Sequence, residues 1–147
     1  MNSSNNPSRL VQLLGYTGLI PFVTLALAVW FGPPHYQTPA AQALLGYGAC
    51  ILSFLGAIYW GLNMRDSRNA PQALWIWGVS PSLIAWVALL VPLPFGLWLI
   101  AAGLVTCLMV DKAAYLRFGA APWLPMRLVL TVVASASCLA GAWACAN

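Results

Sequence analysis

Long, nearly unbroken apolar runs separated by short polar or proline-bearing breaks dominate this chain. Within each run the apolar residues fall on every side of a helix, not on the single stripe that a helix covering a soluble core would show. A bilayer core about 30 Å thick takes about 20 helical residues to cross. Five runs meet or approach that length, at residues 10–31, 39–64, 73–91, 93–110 and 123–145. The third and fourth are divided by Pro92 and Pro94, which cannot both continue one helix without losing backbone hydrogen bonds, so a tight hairpin is predicted there. The expected fold is all-α: a single transmembrane domain over residues 1–147, built as a bundle of five spanning helices.

Composition agrees with this pattern. The chain is 62% apolar and only 5% charged, where an average soluble domain carries roughly a quarter charged residues. The formal charge of +4 does not describe a nucleic-acid-binding patch, because the basic residues stand singly or in pairs between apolar runs. It describes topology instead. With five spans, Arg9, Arg65, Arg68, Lys112, Arg117 and Arg127 all fall on one side and no Lys or Arg falls on the other. The positive-inside rule then places the N-terminus in the cytoplasm and the C-terminus outside. Asp66 and Asp111 fall on the same inner side. The apolar run after Arg9 is longer than a signal peptide's and lacks a small-residue cleavage site, so the first helix is expected to be retained. Trp60, Trp75, Trp77 and Trp123 fall at inner helix ends and Trp30, Trp98 and Trp143 at outer ends, as in interfacial aromatic belts. Trp86 lies deeper in the third span. Its indole N–H needs an acceptor, from a neighbouring carbonyl or from a ligand.

Helices associate in lipid through close backbone approach and interhelical polar contacts, so small residues are expected to mark the interfaces. Ala49, Ser53, Ala57 and Gly61 recur every fourth residue in the second span, and Ala134, Cys138 and Ala142 do so in the fifth. These two spans are therefore expected at the bundle centre. Pro21 in the first span and Pro81 in the third each remove a backbone donor and oppose the carbonyl one turn earlier, predicting two kinks. One reading of the kinks is a ligand cavity between the first and third spans, formed by Pro21, Ser80, Pro81 and Trp86, since broken helices at mid-membrane mark binding sites in transporters. The other is ordinary transmembrane proline, with the freed carbonyls satisfied by Thr17, Thr24, Ser80 or Ser82.

Candidate chemistry is sparse. His35, the single histidine, is expected in an outer loop with no acidic residue on its side. Cys50, Cys107, Cys138 and Cys145 have no CxxC spacing and read as small packing residues. No metal site and no cofactor are expected, and no catalytic constellation stands out. No span carries a carboxylate or histidine in its central turns, which argues against ion-coupled transport.

Several stretches resemble the bacterial inner-membrane and mitochondrial proteins grouped with transmembrane protein 69, a family of unknown function. The likeness is carried by residues 14–22 (LGYTGLIPF), residues 47–56 (YGACILSFLG) with Trp60-Gly61, residues 80–86 (SPSLIAW), Asp111, and Pro122-Trp123 followed by Arg127. The resemblance implies a small multi-helix membrane protein and supplies no catalytic residues. The N-terminus has no Arg-rich, Ser-rich leader of the kind expected of mitochondrial members, which points to a bacterial inner membrane. The resemblance also draws attention to Asp111 and Arg127, which bracket the fourth connection and, with Lys112, form a cytoplasmic-side polar cluster. An ion pair there is expected to fix the connection, with an anionic lipid headgroup at Arg127 or Lys112 as the functional alternative.

Two function classes remain. The first is an accessory, assembly or stabilising subunit of a membrane complex, binding another membrane protein, or itself as a homo-oligomer, through a small-residue face. The second is a binding protein or passive carrier for an apolar ligand such as a lipid, quinone or tetrapyrrole. Membrane lipids are partners in either case, and nucleic acid in neither.

Overall fold

A computed structural model describes residues 8–65, 71–117 and 121–146. The described residues form six helices: α1 (Arg9–Thr17), α2 (Ile20–Phe31), α3 (Pro34–Arg65), α4 (Gln72–Leu90), α5 (Leu93–Arg117) and α6 (Leu124–Ala146), with a 3-10 turn at Ala121–Trp123 before the last. They make five apolar stretches long enough to cross a membrane, α1 and α2 together forming the first. Asp66, Arg68 and Gly119, expected in connections, lie outside the described residues, as do the side chains of Arg65 and Arg117.

The bundle runs up and down. Residues near 60 and 75 meet across α3 and α4, where Trp60 Nε1 donates to the Trp75 carbonyl at 3.2 Å and the two indoles pack edge to face. Ser135 on α6 donates to the Ala101 carbonyl of α5, and Trp30 at the end of α2 donates to the Ala140 carbonyl of α6 at 2.9 Å. Two-residue connections, Gly32-Pro33 and Val91-Pro92, join α2 to α3 and α4 to α5. The hairpin expected at Pro92 is therefore present. His35, expected in a loop, belongs instead to the first turn of α3, because Pro34 is pre-shaped to open a helix.

α3 is the hub, packed against α2, α4, α5 and α6. Phe22, Leu44, Leu52, Leu97, Ile100, Leu104 and Cys138 are almost fully buried where these helices meet. α5 and α6 are buried to a similar extent beside α3, so the second, fourth and fifth spans share the centre. The α6 residues Ala134, Cys138 and Ala142 are buried. The α3 row is not: Ala49 is buried, Ser53 is half-buried, and Ala57 and Gly61 are exposed. The reason is geometric. A four-residue step on an α-helix advances about 40° around the axis, so three such steps carry a row about 120° off its starting face. The α6 row is one step shorter and stays inside.

The true packing face of α3 runs through Leu45, Gly48, Leu52, Gly56 and Tyr59. At its α4 end the two backbones nearly touch: a Cβ on Gly56 would lie 2.6 Å from the Gly78 carbonyl oxygen and 3.1 Å from Pro81 Cγ. Only glycine on both helices allows that approach.

The two prolines act differently. The first span breaks at Gly18-Leu19, leaving Pro21 in the opening turn of α2, where a missing N–H costs nothing. The ring opposes the carbonyl of Thr17, the last residue of α1. Tyr47 on α3 donates its hydroxyl to the Gly18 carbonyl at 2.9 Å, pinning the break to the bundle. α4, by contrast, continues through Pro81 as one helix. The nearby hydroxyls do not satisfy the carbonyls that the prolines free, those of Thr17 and Trp77. Thr17 donates to Leu14, Thr24 to Ile20 and Ser80 to Ile76.

Gly56→Ala should destabilise the bundle by about 1–3 kcal/mol, the usual cost of overpacking, because α4 must move away. Gly61→Ala should change it by less than about 0.5 kcal/mol. Reversible unfolding in mixed micelles, followed by tryptophan fluorescence, measures both.

Candidate functional site

A polar cluster sits inside one end of the bundle. Asp111, on α5, is 3% exposed and Arg127, in the first turns of α6, is 7% exposed. Arg127 donates from both Nε (2.8 Å) and Nη2 (2.5 Å) to Asp111 Oδ2. The other carboxylate oxygen, Oδ1, accepts from the Tyr59 hydroxyl of α3 at 2.6 Å. One carboxylate thus joins three helices. A buried charge is tolerated only when it is paired and its remaining lone pairs are satisfied, and this arrangement does both.

Each element places its residue by simple means. The proline-bearing turn Ala121–Trp123 and Pro125 start α6, so that Arg127 falls one turn inside it. α5 carries Asp111 beyond the apolar core residues Leu104 and Cys107 on the same buried face. α3 delivers Tyr59 at the end of its packing face. The pairing of Asp111 with Arg127 matches the sequence expectation, but Lys112 does not join them: it follows Asp111 by one residue, about 100° around the helix, and is exposed. The third member is Tyr59, which sequence reasoning passed over. The available signal was a phenol within a span, whose hydroxyl needs a partner.

Next to this cluster a half-open cleft of about 570 Å³ lies between α1, α2, α3 and α6, with Leu104 of α5 in its floor. Its walls are almost wholly apolar: Leu14, Leu19 and Phe22 on one side, Ile51, Phe54 and Ile58 on the second, Met126 and Leu130 on the third. Arg127 and Thr131 supply polar groups to the lining, and Trp123 lies toward the Arg127 end. Gly15 keeps the cleft open, since its missing side chain would point toward Met126 and Leu130.

The residues expected to enclose a ligand do not line this cleft. α2 and α4 lie on different sides of α3, so Pro21 and Pro81 do not face a common space. Pro81 is buried against Gly56, Ser80 is bonded within its own helix, and Trp86 is 59% exposed on the outside of the bundle. A cavity between the first and third spans is therefore replaced by one between the first, second and fifth. Hydropathy reports that a helix is kinked, but not which neighbours its concave side meets. His35 stacks on Tyr36 with ring centroids 4.2 Å apart, far along the sequence from the cluster.

The family model described as "Protein of unknown function (DUF3429)" matches residues 7–143. The chain belongs to this family. A relative in Xenopus tropicalis, transmembrane protein 69, is 40% identical over 79 residues, covering 52% of this chain and 31% of the relative. The chain thus spans about a third of that protein's length in the match. No solved structure matches the chain. Family membership agrees with a multi-pass membrane protein and leaves its activity to be argued from the structure.

The ion pair makes a strong energetic prediction. Asp111→Leu should destabilise the bundle by about 3–5 kcal/mol by stranding a buried guanidinium, and Asp111→Leu combined with Arg127→Met should recover most of that loss. Tyr59→Phe should cost about 1–3 kcal/mol. Unfolding midpoints of the four proteins in mixed micelles check this; a neutral Asp111→Leu would show that the carboxylate does not hold the helices.

Proposed function

We propose that this protein is a non-enzymatic accessory or assembly subunit that holds another membrane polypeptide against the outer face of α3. The observation that carries the reading is a stripe along that face. Ala43, Gly46, Cys50, Ser53, Ala57 and Gly61 follow one another at three- and four-residue steps and are exposed or half-exposed. A methyl group added at Gly46 or Gly61 would meet nothing within 4 Å. Elsewhere the bundle presents large apolar side chains to its surroundings, such as Leu83, Leu90, Phe95 and Val132.

A groove of small residues lets a second helix backbone come close, which is the main source of association energy in lipid. The matching partner is an apolar helix carrying bulky side chains at the same spacing. Phe54 and Trp60, exposed beside the stripe, would embrace it. The mutual engagement of Asp111 and Arg127 supports a scaffold over an acid–base catalyst. No cofactor is part of the proposal. The asymmetry of Lys and Arg supports an orientation with the Asp111 end facing the cytoplasm.

Cys50 gives a native probe of the stripe. It is exposed, whereas Cys107 and Cys138 are buried. With Cys145 replaced by serine, a benzophenone attached to Cys50 and irradiated in native membranes should yield one dominant adduct with a second polypeptide. Ala57→Leu should abolish that adduct while leaving the unfolding midpoint unchanged. Labelling of lipid alone would sink the subunit reading, and an adduct between two copies of the chain would replace the foreign partner by self-association.

A further inference from the structure

The cleft lies on a different side of α3 from the small-residue stripe, and its chemistry is independent of the subunit reading. Its walls extend along α6 from Met126 to Ala134, roughly 12 Å of helix. Its polar groups, Arg127 and Thr131, lie one turn apart on the α6 wall. Two of the hydrogen-bond donors there are unspent. Arg127 uses Nε and Nη2 on Asp111, and Nη1 donates to nothing among the described residues. Thr131, one turn on and 3% exposed, has a hydroxyl without a partner among the described residues.

Asn63 Nδ2 and Trp77 Nε1 are also buried without a partner among the described residues, but Thr131 differs from other hydroxyls in the spans. Thr24, Ser53, Ser80, Thr106 and Ser137 each donate to the carbonyl four residues earlier in their own helix, the ordinary solution for a hydroxyl in a span. Thr131 does not take it. A buried hydroxyl left unpaired in an apolar setting costs about 1–3 kcal/mol, so an acceptor arriving through the cleft would recover that loss. This end of the bundle also has a positive balance among the described side chains, with Arg9, Lys112 and Arg127 against Asp111.

We infer that the cleft is a binding site for one anionic membrane phospholipid. An acyl chain lies along α6 between α1, α2 and α3, and headgroup oxygens accept from Arg127 Nη1 and the Thr131 hydroxyl. An apolar slot with two donors a turn apart on one wall matches an amphiphile and not a wholly apolar ligand. A positive end selects an anionic headgroup over a zwitterionic one. Residues 1–7 of the chain itself are a poor occupant, since Met1-Asn2-Ser3-Ser4-Asn5-Asn6-Pro7 offers almost no apolar surface to such walls.

The test is native mass spectrometry of the full chain released from nanodiscs of equimolar phosphatidylglycerol and phosphatidylcholine, with free palmitate added in a parallel sample. The wild type should retain one phosphatidylglycerol, favoured at least about tenfold over phosphatidylcholine, and palmitate should not displace it. Thr131→Val keeps the shape and removes one donor, so it should lower retention about tenfold, the worth of one hydrogen bond to a charged group. Gly15→Phe fills the cleft from α1 and should abolish retention. Gly15→Phe should keep the wild-type unfolding midpoint, Thr131→Val should match or exceed it because it removes an unpaired hydroxyl, and Thr106→Val, outside the cleft, should bind as the wild type does. Equal retention of the two lipids, displacement by palmitate, or retention unchanged in both cleft variants would each overturn the assignment. Because α3's outer stripe is untouched in these variants, the crosslink from Cys50 should persist in them, which separates this result from the subunit reading.

Discussion

A carboxylate buried between helices must find its partners within the protein, because burial removes the water that would otherwise supply them. Asp111 does so by taking two hydrogen bonds from Arg127 on α6 and one from Tyr59 on α3. That requirement fixes the relative rotation of α3, α5 and α6 at one end of the molecule. Non-directional apolar packing would permit several rotations at similar cost, whereas a carboxylate with both oxygens engaged permits one. The apolar core above it, Leu52, Ile100, Leu104 and Cys107, can then pack closely, because the helices that carry it are already oriented.

The remaining spans attach to this trio by close approach and by single polar links. α4 leans on α3 where Gly56 faces Gly78 and Pro81, so Pro81 acts as a packing surface and not as a hinge. The first span is secured by Tyr47 at its break and by Trp30 at its far end. Breaking the span at Gly18-Leu19 separates α1 from α2, and α1 then stands at the side of the cleft without closing it. The same proline that interrupts the helix therefore shapes the space beside Arg127 and Thr131, although Pro21 itself is not among the residues lining it.

The two faces of α3 have different relations to the outside. One side holds the edge of the cleft through Ile51, Phe54 and Ile58. Next to it runs the row of small side chains from Ala43 to Gly61. Large lipid-facing residues occupy most of the remaining surface. The contrast is steric: a bulky side chain makes van der Waals contact with acyl chains unaided, while a row of small ones leaves a groove that only a shaped partner fills.

Although α3 begins five residues before its expected start and α5 runs seven past its expected end, five spans, the hairpin at Pro92 and the meeting of Asp111 with Arg127 were legible in the sequence. Each depends on quantities local to the chain: the length of an apolar run, the missing N–H of proline, and the penalty that forces an intramembrane charge to seek its opposite. The sequence could not say which way each helix turns. A four-residue repeat of small residues looks like an interface, yet on α3 it winds from Ala49 in the core to Gly61 outside, while the shorter row on α6 stays buried. Tyr59, Thr131 and the cleft escaped notice for the same reason, as did the outward position of Trp86. In lipid both sides of a helix are apolar, so hydropathy carries no record of rotation. Only the packing of all the spans around the Asp111 carboxylate and the Gly56–Gly78 contact decides which residues face each other.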